Sequence, residues 1–140
     1  MKAVVLDEYG GPEKLKFEDY APQPQMSGDM VLFASAASGV NPIDWKVRPG
    51  SRQKDFPLTF PAIVGRNVSG VVRAVGPIVK HFKPGNRVLP FSNQTYAELV
   101  AVDDSELTHL PDGVEQSDAA AIPSVSLTAD QLVRHAANVQ

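Results

Sequence analysis

Twelve prolines and ten glycines are distributed along the whole 140-residue chain rather than pooled in a linker. Proline removes a backbone donor and glycine tolerates turns, so this punctuation cuts the chain into short segments of the kind all-β folds use. With 43% hydrophobic residues the chain has enough apolar surface for one domain with a core of its own, and too few residues for two of ordinary size.

The segments between these breaks carry strand patterns. Lys2–Asp7 reads as a strand, Gly10-Gly11-Pro12 as a turn and Leu15–Tyr20 as a second strand, which together predict a hairpin. After a loop at Pro22-Gln23-Pro24, Met30–Val40 reads as a buried strand. Pro42 at a first helical position and Gly50 beyond the end predict one short helical turn over Ile43–Val47. Phe56–Pro61 is an extended apolar loop. Val68–Val75 alternates as a strand, with Gly70 suited to a bulge or a close backbone approach. Lys83-Pro84-Gly85-Asn86 is a turn before the apolar run Val88–Phe91, and Tyr96–Val102 is another β-rich segment. The first hundred residues therefore predict a barrel or sandwich. Beyond Pro111-Asp112-Gly113 the character changes. Ser117–Ala121 is alanine-rich, and Ser126–Ala137 places Leu127, Leu132 and Val133 near helical spacing.

Composition excludes several functions. A net charge of -3 gives no electrostatic reason to bind a nucleic-acid backbone. Zero cysteines remove disulfides, thiolate metal centres and a cysteine nucleophile, and fit a reducing, cytoplasmic setting. Acids interrupt the N-terminus before a signal-peptide core can form, and no apolar run approaches a membrane span. His81, His109 and His135 are isolated and read as surface residues rather than metal ligands. Gly65 and Gly70 have the spacing of a phosphate loop, but Val71-Val72 stand where its Lys and Ser/Thr belong. There is no G-x-G-x-x-G fingerprint and no G-x-S-x-G elbow.

The informative stretch runs from Gly39 to Gly50, through Asn41-Pro42-Ile43-Asp44-Trp45. A structural account is available for it: Asn-Pro starts turns, Asp44 can cap a helix and Trp45 can plug a core. Its neighbours point further. Met1–Val5, Gly39–Trp45, Phe60-Pro61-Ala62-Ile63-Val64-Gly65, Ser69-Gly70-Val71-Val72, Val75-Gly76, Phe82–Val88 and Tyr96-Ala97-Glu98 occur in an order that resembles the medium-chain dehydrogenase/reductase superfamily, specifically its zinc-less quinone oxidoreductase-like branch.

That resemblance covers essentially the whole chain. It implies a mainly β, partly open GroES-like (chaperonin-10-like) barrel over residues 1–123, with short helices. Residues 124–140 would begin the helical crossover to a nucleotide-binding Rossmann domain that lies outside this sequence. Zinc-dependent relatives place a cysteine where Asn41 stands, a His-Glu pair where Arg66-Asn67 stand, and four further structural cysteines; none occurs here. The implied reaction is zinc-independent, NADPH-dependent reduction of a quinone or a conjugated enone or aldehyde. The cofactor supplies the hydride and the protein supplies orientation. Asn41 would lie beside the nicotinamide ribose or the substrate oxygen, Asp44 would orient neighbouring groups or a water, and Thr128 would reach the nicotinamide carboxamide. Asp44 and Thr128 equally fit helix caps.

The resemblance further implies that a Rossmann domain, in cis or in trans, completes the enzyme, and it leaves room for a homodimer. The chain alone is expected to be inactive and not to bind NADPH tightly. Three departures from the family pattern favour an alternative, a stand-alone binding or regulatory module: Asn67 and Asn86 stand where acids are usual, and Asp130 where an aromatic residue is usual. An apolar surface left exposed on the final helix would favour the first reading, because a packed partner normally covers such a patch.

Overall fold

A computed structural model describes residues 1–137. Its strands form two antiparallel sheets. In the smaller, β1 (Ala3–Leu6) lies between β2 (Leu15–Glu18) and β4 (Ala62–Ile63). In the larger, β3 (Met30–Gly39), β5 (Asn67–Val75), β6 (Arg87–Pro90), β7 (Leu99–Asp103) and β8 (Leu107–His109) are arranged in the order β7-β3-β5-β6-β8. The predicted hairpin is present, with Ala3 opposite Glu18 and Leu6 opposite Leu15.

The two sheets join through the residues just before β7. Val4 N–H donates to Tyr96 O at 2.8 Å, Glu98 N–H donates to Lys2 O at 2.8 Å, and Ala3 bridges to Ala97. The expected strand over Tyr96–Val102 is thereby corrected. Its regular part starts at Leu99, because the preceding residues are committed to β1. The result is a curled, partly open barrel.

Alternation decides what faces inward. Val31 and Phe33 on β3, Val68 and Val72 on β5, and Val88 on β6 are fully or almost fully buried and pack with Val100 and Val102 of β7. Burial holds only for the first half of β3, whose second half alternates between half-buried and exposed positions and carries no fully buried side chain. Gly70 makes the predicted close approach, since a Cβ there would fall 2.4 Å from Ala34 O. Opposite it, β3 is irregular between Ser35 and Ala37, a bulge that bends the sheet.

Three helices follow. The short α1 spans Pro42–Val47, as predicted, and Gly50 adopts φ +83° beyond it. Trp45 does not plug the core; it is 53% exposed, with the Lys46 ammonium 5.4 Å from its ring. Helix α2 spans Gln116–Ala119 and α3 spans Ile122–Asp130, four residues earlier than the apolar spacing predicts, with Pro123 near its start. The helix continues as a π-helical stretch over Gln131–Ala136, where Ala137 N–H donates to Leu132 O at 2.8 Å. Leu127, Leu132 and Val133, which the spacing assigns to a helix face, are all exposed. Residues 138–140 of the predicted tail lie outside the described residues. Among the described residues no helix is long and apolar enough to cross a membrane.

Candidate functional site

Four segments distant in sequence converge at one end of the β3–β5 pair. Gly39 is opposite Asn67 in register, so the chain leaving β3 into α1 lies beside the chain entering β5. Tyr96 N–H donates to Val64 O at 3.0 Å, and the Thr95 hydroxyl donates to Asn67 O at 3.2 Å, which brings in the segment before β7. The start of α3 joins through Ser124, whose hydroxyl and N–H both donate to Asn67 Oδ1, at 2.5 and 3.2 Å.

Asn41 precedes α1 in extended conformation, and Pro42 fixes the first helical position. Asp44, at the third, turns back so that its Oδ2 accepts the Asn41 backbone N–H at 2.7 Å, satisfying a donor that the helix start would otherwise leave unpaired. Asp44 does cap, as the structural account allows. The same Oδ2 accepts the Tyr96 hydroxyl at 3.0 Å, so Asp44 also ties α1 to the barrel wall. Burial foremost, then the Asp44 carboxylate, push the Tyr96 phenol well above its ordinary value of 10.0.

Asn41 and Asp44 are both buried and in contact. Thr128 is not with them. It is exposed inside α3, and its hydroxyl donates to Ser124 O at 2.6 Å, one turn back along the helix rather than at a cap. Its hydroxyl links it to the site through Ser124, which docks on Asn67. The Asn41 Nδ2 and Asn67 Nδ2 amides are buried donors with no partner among the described residues. An unsatisfied buried amide costs about 1–3 kcal/mol, so each of the two donors lacks an acceptor that would offset that cost.

A pocket of about 880 Å³ lies along this end of the barrel, lined in part by Asp44, Phe56, Leu58, Ala62, Val64 and Arg66. Arg66 extends over Phe56, with its guanidinium carbon 4.4 Å from the ring centroid, and its Nε donates to Asn93 Oδ1 at 3.1 Å. Sequence reasoning misses Tyr96, Arg66 and Ser124 as site residues. The pairing partners of Tyr96 and Arg66 lie 52 and 27 positions away; the sequence signal for Tyr96 is the Tyr96-Ala97-Glu98 motif, and that for Arg66 its place where zinc-dependent relatives carry a ligand.

The departures from the family pattern have structural partners. Asn67 Oδ1 accepts two hydrogen bonds, as a carboxylate oxygen could. Asn86 Oδ1 accepts the Lys83 N–H at 2.9 Å inside its turn, while Arg87 donates to the Val114 carbonyl. Asp130 pairs with Arg134 at 2.5 Å on the helix surface.

The donors at the positions where zinc-dependent relatives hold their metal are Asn41, Arg66 and Asn67. A guanidinium cannot ligate a cation and an amide is a weak ligand for zinc, so this set does not fit that metal.

Residues 27–112 match the alcohol dehydrogenase GroES-like domain. The chain is 37% identical to the human mitochondrial NAD(P)H oxidoreductase RTN4IP1, over 92% of this chain and 37% of that protein. It is 36% identical to the chloroplastic NADPH-dependent alkenal/one oxidoreductase of Arabidopsis thaliana, over 96% of this chain and 37% of that one. Among solved structures, a quinone oxidoreductase of Pseudomonas syringae superposes with a TM-score of 0.88 at 32% identity, covering 96% of this chain and 41% of the other. The chain thus spans about two-fifths of the length of these relatives. The ordered motifs, the curled barrel and these matches agree, and the chain belongs to the alcohol dehydrogenase GroES-like domain family, within the medium-chain dehydrogenase/reductase superfamily and beside its quinone oxidoreductases.

Proposed function

We propose that this chain is the substrate-side part of a zinc-independent, NADPH-dependent reductase of quinones or conjugated enones and aldehydes. The observation that carries the proposal is the Asn41 carboxamide, buried at the convergence of α1, β3 and β5 with its Nδ2 unpartnered. A donor held in this way gains a hydrogen bond when a ligand oxygen arrives, and its backbone is already fixed by Asp44. The names of the relatives supply the chemistry: an NADPH-dependent alkenal/one oxidoreductase and a quinone oxidoreductase.

In this reading Asn41 donates to the nicotinamide ribose or to the substrate oxygen. Asp44 is a positioning residue, holding the Asn41 backbone and the Tyr96 hydroxyl on one oxygen. Thr128 Oγ1, its proton already given to Ser124 O, keeps lone pairs to accept an N–H from a nicotinamide carboxamide. NADPH, when bound, supplies the hydride that a quinone or conjugated carbonyl accepts without a metal. Residues 1–123 form the barrel and 124–140 begin the crossover to a nucleotide-binding domain, in the same chain or a second one.

The apolar side chains along α3 and the π-helical stretch support the need for such a domain. Val125, Leu127, Leu132 and Val133 are each 45–59% exposed, a concentration that a packed partner would cover. A homodimer and a cytoplasmic location belong to the same reading, to be checked by sedimentation and by fractionation.

The test has two parts. Calorimetric titration of NADPH into this chain alone is expected to show no tight, stoichiometric binding; observing it would overturn the two-domain reading. Joined in one chain to the nucleotide-binding domain of a quinone oxidoreductase, it is expected to oxidise NADPH with menadione or crotonaldehyde, and Asn41→Ala to lower that rate. A folded fusion that binds NADPH but reduces neither substrate class counts against the reaction.

A further inference from the structure

Arg66 is the only lysine or arginine among the residues lining the 880 Å³ pocket. It is held from three sides. Its guanidinium carbon lies 4.4 Å from the Phe56 ring centroid and 5.9 Å from that of Phe91, and Nε donates to Asn93 Oδ1 at 3.1 Å. Aromatic faces hold a guanidinium without neutralising it, and the amide takes only one of its five N–H groups. Among the described residues Arg66 has no ion pair, and its two terminal nitrogens have no hydrogen-bond partner.

The acids of the pocket are engaged elsewhere. Asp55 pairs with Arg52 at 2.9 Å, and Asp44 Oδ2 takes the Asn41 N–H and the Tyr96 hydroxyl. The same pocket has apolar lining from Leu58, Ala62 and Val64, alongside the polar Ser92, Asn93 and Gln94. A pre-positioned planar fork at an apolar wall suits a planar anion on an apolar body, because the side-chain entropy of ordering the arginine has been met in advance.

We propose that Arg66 is the carboxylate-binding residue of this pocket, so that the molecule it takes is an apolar compound bearing a carboxylate. The two terminal nitrogens receive the two carboxylate oxygens in parallel hydrogen bonds. The inference rests on the reductase reading for its substrate class, an acid-bearing quinone or conjugated carbonyl. The binding itself requires no reduction and is measured without cofactor.

Phenylpropionate and its neutral amide are suitable probes, titrated into the purified chain by calorimetry and by ligand-observed nuclear magnetic resonance. The wild type is expected to bind the acid roughly tenfold more tightly than the amide. Arg66→Gln, which keeps much of the stacking stem but removes the charge, is expected to bring the two probes to equal affinity; Arg66→Lys keeps charge but not the fork and falls between. Circular dichroism establishes that each variant is folded, and Phe91→Leu, which loosens the clamp, gives a second route to the same loss. Equal affinity for acid and amide in the wild type, binding of neither, or a preference that survives in folded Arg66→Gln would each overturn the assignment. A preserved acid preference in a fusion that reduces no substrate sinks the reductase reading alone.

Discussion

The Tyr96 hydroxyl and the Asn41 backbone N–H share one acceptor, Asp44 Oδ2, at 3.0 and 2.7 Å. Through that oxygen the first turn of α1 is fastened to the strand segment that links the two sheets. Replacing Asp44 by Ala leaves both donors unpaired at a buried position, with an expected loss of about 2–3 kcal/mol in stability. Tyr96→Phe removes one of the two bonds and is expected to cost about 1 kcal/mol. Urea unfolding of the two variants and of the double variant reads both losses. The double variant should cost less than the sum of the singles, and strict additivity would show that the contact carries no energy.

Alkaline pH should weaken the same contact. Tyr96 is raised above its ordinary value of 10.0 in the folded chain, by burial first and then by Asp44. Folding therefore favours the protonated phenol. This contribution is complete below the unfolded value and is lost as the pH rises from there through the raised folded value. Stability measured across that alkaline range should fall more steeply for the wild type than for Tyr96→Phe.

Gly70 has no room for a side chain. A Cβ would lie 2.4 Å from Ala34 O and 2.5 Å from Phe33 Cδ2, and Ala34 O belongs to the neighbouring strand and cannot rotate away. Gly70→Ala is expected to destabilise by about 1–3 kcal/mol or more, seen as a lower Tm. An unchanged Tm would mean that the β3–β5 pairing is looser than the register indicates.

Asn67 has no exposed surface, and its Oδ1 holds the start of α3 through Ser124. Asn67→Ala strands the Ser124 donors and opens a small cavity, for an expected loss of about 2 kcal/mol. Hydrogen exchange should show the loss concentrated in α2 and α3 rather than spread over the barrel.

On the outer face of α3 and of the π-helical stretch that continues it the expected effect is the opposite. Val125 and Leu132 are 56% and 59% exposed, so Val125→Glu and Leu132→Glu should change the stability of this chain by no more than about 0.5 kcal/mol. In a fusion with a nucleotide-binding domain the same substitutions should weaken domain docking, read as increased protease sensitivity at the junction. A large loss of stability in the chain alone would place these side chains in its core.

Much of the barrel is legible from local pattern. The strand over Val68–Val75, the turn at Lys83–Asn86 and the proline-started turn at Pro42 each reflect constraints acting within a few residues, and the structure keeps all three, although in the strand Ser69 is buried beside Val68 and Gly70 rather than alternating with them. The helical tail shows the limit of that approach. Leu127, Leu132 and Val133 have the spacing of a buried face, yet the face is exposed. Periodicity states which side chains can be buried together and not whether a surface is present to bury them.

By itself the sequence determined the longer strand segments and the breaks between them, though not the short β4 and β8, together with the short helix behind Asn41 and the absence of thiolate chemistry, because each depends on side-chain type and short-range spacing. Only the tertiary structure decided that Tyr96 meets Asp44, that Arg66 is clamped by Phe56, Phe91 and Asn93, and that Ser124 docks on Asn67. Those contacts follow from the order β7-β3-β5-β6-β8 and its bulged register, which bring together residues far apart along the chain. Sheet order is set by the packing of all the inward faces at once, and no single segment contains it.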